Sequence, residues 1–144
     1  MKTVGDVLKA KGSAVFAARP NDTVYHALTV MAAKNIGALV VREGERVAGI
    51  FSERDYARQV VLKGKTSKDT PLRDVMTSRV VFVRPEQNLE ECMALMTDKH
   101  IRHLPVLADA QLIGILSIGD VVKAVISEKE FLISQLESYI TSGG

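Results

Sequence analysis

The sequence predicts a mixed α+β fold: two β-α-β-β-α units packed sheet to sheet about a pseudo-twofold axis, with a short N-terminal lead-in helix and an extended C-terminal helix. Three observations predict it. Shifting the sequence by 65 places lays Arg19-Pro20 on Arg84-Pro85, Ile36 on Ile101, Val41 on Val106, Gly49-Ile50 on Gly114-Ile115, Ser52 on Ser117 and Asp55 on Asp120. About 13 of roughly 47 ungapped positions are identical at that one offset, the mark of an internal repeat. Each copy also repeats one order of apolar and polar runs. Finally, three short strands and two helices are too few to bury both faces of their own sheet, and pairing two such units solves that.

The elements follow in order. Short lead-ins precede both copies, Val4 to Leu8 and Leu72 to Met76. The apolar runs Val15 to Ala18 and Val80 to Val83 read as strands stopped by Arg-Pro, because proline brings no ladder donor. Asp22 and Thr23 offer caps for a helix with an apolar stripe at Val24, Ala27, Leu28 and Met31, repeated as Leu89, Cys92, Met93 and Met96. Strands Ala38 to Arg42 and Val47 to Phe51 are joined by a turn at Glu43-Gly44-Glu45, with counterparts Leu104 to Leu107 and Leu112 to Leu116. A second helix starts at Ser52 or Ser117, each followed three residues later by Asp, close to a capping box. The last helix continues past the repeat with Val121, Val125, Leu132, Leu136 and Tyr139 on one face. The expected division is 1–64 for the first unit with its lead-in, 65–71 for a polar linker, and 72–144 for the second unit.

A chain of 144 residues with net charge +2 and interspersed acids and bases points away from nucleic acid. The basic run Lys63 to Lys68 reads as a solvated linker. MKTVGDVLKAKG lacks the apolar core of a signal sequence, and no stretch approaches the roughly 18 apolar residues of a membrane-spanning helix, so the expected location is the cytoplasm, with no membrane partner. The lone Cys92 shares a helical face with Leu89, Met93 and Met96 and reads as core.

At each strand-to-helix junction, Gly-Ile-Phe-Ser-Glu-Arg-Asp and Gly-Ile-Leu-Ser-Ile-Gly-Asp place a glycine, a hydroxyl and free N–H groups at the positive end of a helix. The aspartate one turn in is suited to accepting two hydrogen bonds from vicinal hydroxyls such as those of a ribose. Plain helix capping accounts for the same residues. Arg102 and His103, between the first helix and the next strand of the second copy, are suited to phosphate oxygens, whereas the aligned Gly37 and Ala38 carry no charge. No catalytic constellation emerges. Ser52 has no histidine placed to activate it, and His26, His100 and His103 lack the spacing of a metal site. Neither a phosphate-binding loop nor a dinucleotide fingerprint is present.

The two Gly-Ile-x-Ser-x-x-Asp copies, together with Met96-Thr97-Asp98-Lys99 and the stretch from Ile101 to Val106, resemble a tandem pair of CBS domains, a Bateman module. The chain is similar over nearly its whole length to bacterial stand-alone CBS-pair proteins and their plant mitochondrial relatives. The resemblance implies two clefts for adenosine-containing ligands. In the first, Asp55 would hold the ribose beside Ser52 and Arg54, Ile50, Val80 and Val81 would flank the adenine, and Arg102 and His103 would meet the phosphates. In the second, Asp120 and Ser117 would take the ribose, with Ile115, Val15 and Phe16 around the base and Gly37 and Ala38 where charge would otherwise stand. AMP, ADP, ATP or NAD would act as a regulatory ligand rather than a catalytic cofactor.

The function expected is therefore a non-enzymatic sensor that modulates an unidentified regulated protein. The alternative is a ligand-free interaction module whose working part is the last helix. Homodimerisation is expected from the surplus apolar positions of that helix together with the amphipathic second helix of each unit.

Overall fold

The computed structural model describes residues 2–12 and 14–141. By contacts the chain forms two compact units. One, the N-repeat unit, comprises residues 14–81 and 109–113; the other, the C-repeat unit, comprises 1–13, 82–108 and 114–144. The units in space are thus cut differently from the repeats in sequence. The lead-in before the first repeat groups with the second repeat, and residues 72–81 group with the first.

In the N-repeat unit, β1 (Ala17–Ala18) pairs parallel with β2 (Ala38–Glu43), which pairs antiparallel with β3 (Arg46–Ser52). Gly44 makes the hairpin turn at φ 63, a left-handed conformation that glycine adopts without a Cβ penalty. Helix α2 (Val24–Lys34) starts at Thr23, whose hydroxyl accepts the His26 N–H at 3.1 Å. Asp22 does not cap the helix; its carboxylate accepts the Arg19 N–H at 2.8 Å and closes the Arg-Pro turn. The linker is well fixed: Thr70 and Ser67 carbonyls accept the N–H groups of Val24 and Tyr25, donors that a helix start leaves without intrahelical partners. Val24, Ala27 and Met31 bury one helical face against Leu39, Val41, Phe51, Val60 and Leu72, with Leu28 partly buried beside them. The helix expected after Ser52 is a single α turn, α3 (Glu53–Asp55), followed by π-helix over Tyr56–Val61, with the Leu62 N–H reaching the Ala57 carbonyl at 3.0 Å.

In the C-repeat unit, α1 (Val4–Lys11) is followed, after the first repeat, by α4 (Leu89–Lys99), the strand β4 (His103–Ala108), the part of β5 (Gln111–Ser117) from Gly114 onward, and α5 (Ile118–Thr141); residues 111–113 of β5 group with the N-repeat unit. Asn88 caps α4 and His100 closes it in the left-handed conformation at φ 55. Leu89, Cys92 and Met96 are buried as expected, but Met93 is exposed, lying at the edge of the stripe. The strand expected over Val80 to Val83 shrinks to one parallel bridge, Val83 to Val106. Pro105 explains it. Its carbonyl accepts the Val83 N–H at 3.0 Å, but the preceding pair, Phe82 with Pro105, needs an N–H that proline lacks. The first copy has Val40 at that place, and both Ala17 and Ala18 pair. Helix α5 buries Val121 and Ala124, whereas residues 131–140 are all exposed, including Phe131, Leu132, Leu136, Tyr139 and Ile140. Among the described residues no helix is long and apolar enough to cross a membrane.

Candidate functional site

Each unit carries one Ser-x-x-Asp junction, and in both the local sequence folds as a reciprocal cap. At the first, the Ser52 N–H donates to Asp55 Oδ2 at 2.9 Å, and the Asp55 N–H donates to Ser52 Oγ at 3.2 Å. At the second, the Ser117 N–H donates to Asp120 Oδ2 at 2.8 Å, and the Asp120 N–H donates to Ser117 Oγ at 3.1 Å. These bonds satisfy donors that a helix start would otherwise leave open. The next N–H groups go to the residue before the neighbouring strand: Glu53 to the Gly37 carbonyl at 3.1 Å, and Ile118 to the Arg102 carbonyl at 2.9 Å. Gly37-Ala38 and Arg102-His103 therefore abut the junction of their own repeat at backbone level, and the Arg102 side chain is exposed.

A second layer comes from the lead-in segments, whose docking on the junctions no local sequence signal marks. In the N-repeat unit, Thr77 pairs with Ile50 through two backbone bonds of 3.0 and 2.9 Å, and its hydroxyl donates to Asp55 Oδ1 at 3.0 Å. Gly49 admits this segment: a Cβ there would lie 2.7 Å from the Thr77 carbonyl oxygen. In the C-repeat unit, Leu8 packs against Gly114, where a Cβ would lie 2.7 Å from Leu8 Cδ2. The same helix delivers Lys11, whose Nζ donates to Asp120 Oδ2 at 2.7 Å and to the Ile115 carbonyl at 2.9 Å. Burial alone would raise the Asp120 carboxyl. The Lys11 ammonium and the Ser117 N–H and hydroxyl outweigh that and hold it below the ordinary range.

The residues that the CBS resemblance assigns to ligands are distributed as follows. Ile50, Ser52, Arg54, Asp55, Val80, Val81, Val15, Phe16, Gly37 and Ala38 belong to the N-repeat unit, and Arg102, His103, Ile115, Ser117 and Asp120 to the C-repeat unit. Phe16 lies under the Lys34 ammonium, 4.9 Å from its ring centre. A separate open groove of about 570 Å³ lies at the other end of β1 and β2, with Arg19, Asp22, His26 and Arg42 on its walls. None of the assigned residues lines it. Cys92 is buried, and burial, reinforced by Glu91, pushes its thiol up to about 11. Among the described residues no three His, Cys, Asp or Glu side chains gather as a metal site.

A duplicated α+β unit with a capped Ser-x-x-Asp at each strand-to-helix junction defines the class. The CBS-domain model matches residues 3–62 and 72–127, and the chain belongs to the CBS-domain family, with two CBS domains. Such pairs are in general regulatory modules rather than catalysts. The chain is 43% identical to the CBS domain-containing protein CBSX3, mitochondrial, of Arabidopsis thaliana, over 98% of this chain and 73% of that protein. It is 32% identical to the CBS domain-containing protein YhcV of Bacillus subtilis, over 83% of each. Among solved structures, a protein with CBS domains from Burkholderia ambifaria superposes with a TM-score of 0.86 at 51% identity, covering 88% of this chain and 95% of that one.

Proposed function

We propose that this CBS pair is a regulatory module that binds an adenine nucleotide, AMP, ADP, ATP or NAD, and through it reports cellular energy or redox state to a partner protein. The observation that carries this reading is the recurrence, once in each unit, of a half-buried carboxylate at a strand-to-helix junction whose other bonds come from side chains rather than from the helix alone. Asp55 and Asp120 each hold a ribose in this reading, with Ser52 and Ser117 beside them. Arg102 and His103 supply cationic groups for phosphate, for which Gly37 and Ala38 have no equivalent, so the two sites differ in the phosphate chain they accept. Ligand binding acts on the partner by favouring one of two states of the module. The module works in the cytoplasm and pairs with a second copy through the exposed apolar face of α5.

Thermal denaturation with AMP, ATP and NAD tests the reading: a ligand present at about a hundred times its dissociation constant stabilises the native state by about 2.7 kcal/mol. Calorimetry on Asp55→Ala and Asp120→Ala, each checked for folding by circular dichroism, then assigns the sites. Equal loss of ATP binding in both variants would remove the inequality between them.

The exposure of Phe131, Leu132, Ile133, Leu136, Tyr139 and Ile140 favours a second reading, an interaction module that needs no ligand. Folded protein whose stability is indifferent to every adenine nucleotide would select it.

A further inference from the structure

The lead-ins match at a 68-residue shift, Val4-Gly5-Asp6-Val7-Leu8 on Leu72-Arg73-Asp74-Val75-Met76, and each brings a donor of different chemistry to an aspartate. Beside Met76 the chain brings the Thr77 hydroxyl, a neutral donor, to Asp55 at 3.0 Å. The other lead-in brings an ammonium. Lys11 Nζ is bound to Asp120 Oδ2 at 2.7 Å and to the Ile115 carbonyl at 2.9 Å. The side chains of Lys11 and Asp120 retain 32% and 23% exposure, so the pair is covered yet within reach of solvent.

We propose that Lys11 makes the Asp120 site selective for phosphorylated over unphosphorylated adenosine. This rests on the reading above, that Asp120 holds the ribose. A sugar that takes Asp120 competes with Lys11 for the same carboxylate, and a neutral nucleoside then leaves the ammonium partly desolvated beside it with no anion to face. A nucleotide brings its own anion. The flexible four-carbon stem of lysine lets the ammonium move from carboxylate to phosphate, so the ion pair is exchanged rather than lost. Nothing equivalent occurs at Asp55 when the Thr77 hydroxyl is displaced, because a hydroxyl is readily satisfied by water.

Calorimetry with adenosine and AMP on the full chain tests this in an Asp55→Ala background, with Lys11 intact and as Lys11→Met, an uncharged side chain of similar reach. With Lys11, AMP binds about tenfold or more tightly than adenosine; in Lys11→Met the preference falls to within about threefold because adenosine binding improves. Lys11→Arg retains the preference and serves as the folded control. A preference unchanged in Lys11→Met, or absent while Lys11 is present, overturns the proposal. Binding by wild type that vanishes for both compounds in the Asp55→Ala background also overturns it, while leaving nucleotide binding at Asp55 intact. A wild-type chain that binds neither adenosine, AMP nor ATP overturns the nucleotide reading itself and the selectivity with it.

Discussion

Replacing Gly49 with alanine tests how the lead-in of one repeat is seated on the other. The added Cβ would stand 2.7 Å from the Thr77 carbonyl oxygen and 2.8 Å from Met76 Sδ, against a normal contact of about 3.4 Å or more. Met76 can rotate away. The carbonyl cannot, because Thr77 and Ile50 exchange two backbone hydrogen bonds. Separating the segment by more than half an ångström weakens two bonds worth about 1 kcal/mol each, and alanine recovers roughly 0.4–1 kcal/mol through the unfolded chain. With overpacking strain of about 1–3 kcal/mol when the backbone resists, the net loss is about 2 kcal/mol. That lowers the melting temperature by about 4–8 °C for a chain of this size. Gly114→Ala is the matched control: its Cβ meets only the Leu8 side-chain tip, which shifts more cheaply, for a loss of about 1 kcal/mol. Urea unfolding followed by circular dichroism measures both. A Gly49→Ala variant within 0.5 kcal/mol of wild type, or one less affected than Gly114→Ala, refutes the reasoning.

Other expectations follow from single features. Leu72 is fully buried in the N-repeat core, so Leu72→Ala should cost about 2–5 kcal/mol, and a loss under 1 kcal/mol would mean that the residues before the second repeat are not part of that core. Ser52→Ala removes a reciprocal cap and should cost about 1 kcal/mol, read from the urea midpoint; no change would show that Asp55 holds the turn alone. With its thiol pushed up to about 11, Cys92 should react with a disulfide reagent at pH 8 only on unfolding, so rapid labelling of native protein contradicts its burial. The folded carboxyl of Asp120 lies below its ordinary value, so its contribution to stability is present above about pH 4 and is lost as pH falls through the lowered value. Lys11→Met removes much of that lowering, and its stability should fall less steeply than that of wild type as pH drops below about 4; parallel acid limbs would count against the ion pair.

The two-unit α+β organisation was legible because duplication wrote each local signal twice, and because caps, proline stops and the helical stripes are short-range chemistry. The differences between copies were harder to read. Pro105 stands in the sequence, yet its effect depends on which residue of the neighbouring run it faces, and that register is a tertiary fact. Met93 fits the helical stripe of Leu89, Cys92 and Met96 but lies at its edge, where packing rather than spacing decides exposure. The π-helical turn at Tyr56–Val61 has no composition signal that separates it from the matching stretch of α5. The lead-ins were recognised as elements, but local sequence does not say on which repeat a short amphipathic segment will dock.

Capping explains the Ser-x-x-Asp pattern in full at the local level: in each unit serine and aspartate exchange two reciprocal backbone N–H bonds, to which the Ser52 hydroxyl adds a third on Asp55 Oδ2, and duplication would copy a cap as faithfully as a site. What capping does not require is a further donor arriving from far along the chain, the Thr77 hydroxyl on Asp55 and the Lys11 ammonium on Asp120. Those donors mark each aspartate as an acceptor with capacity beyond its helix, and their difference, neutral at one and cationic at the other, makes the two units chemically distinct. The residues that break the repeat, rather than those that preserve it, distinguish a site from a cap. An Asp55→Asn, Asp120→Asn pair separates the roles: the shape of the cap is largely kept, the charge facing Lys11 is lost at one site only, and stability should fall more in Asp120→Asn than in Asp55→Asn. Equal losses would return both aspartates to the status of simple caps.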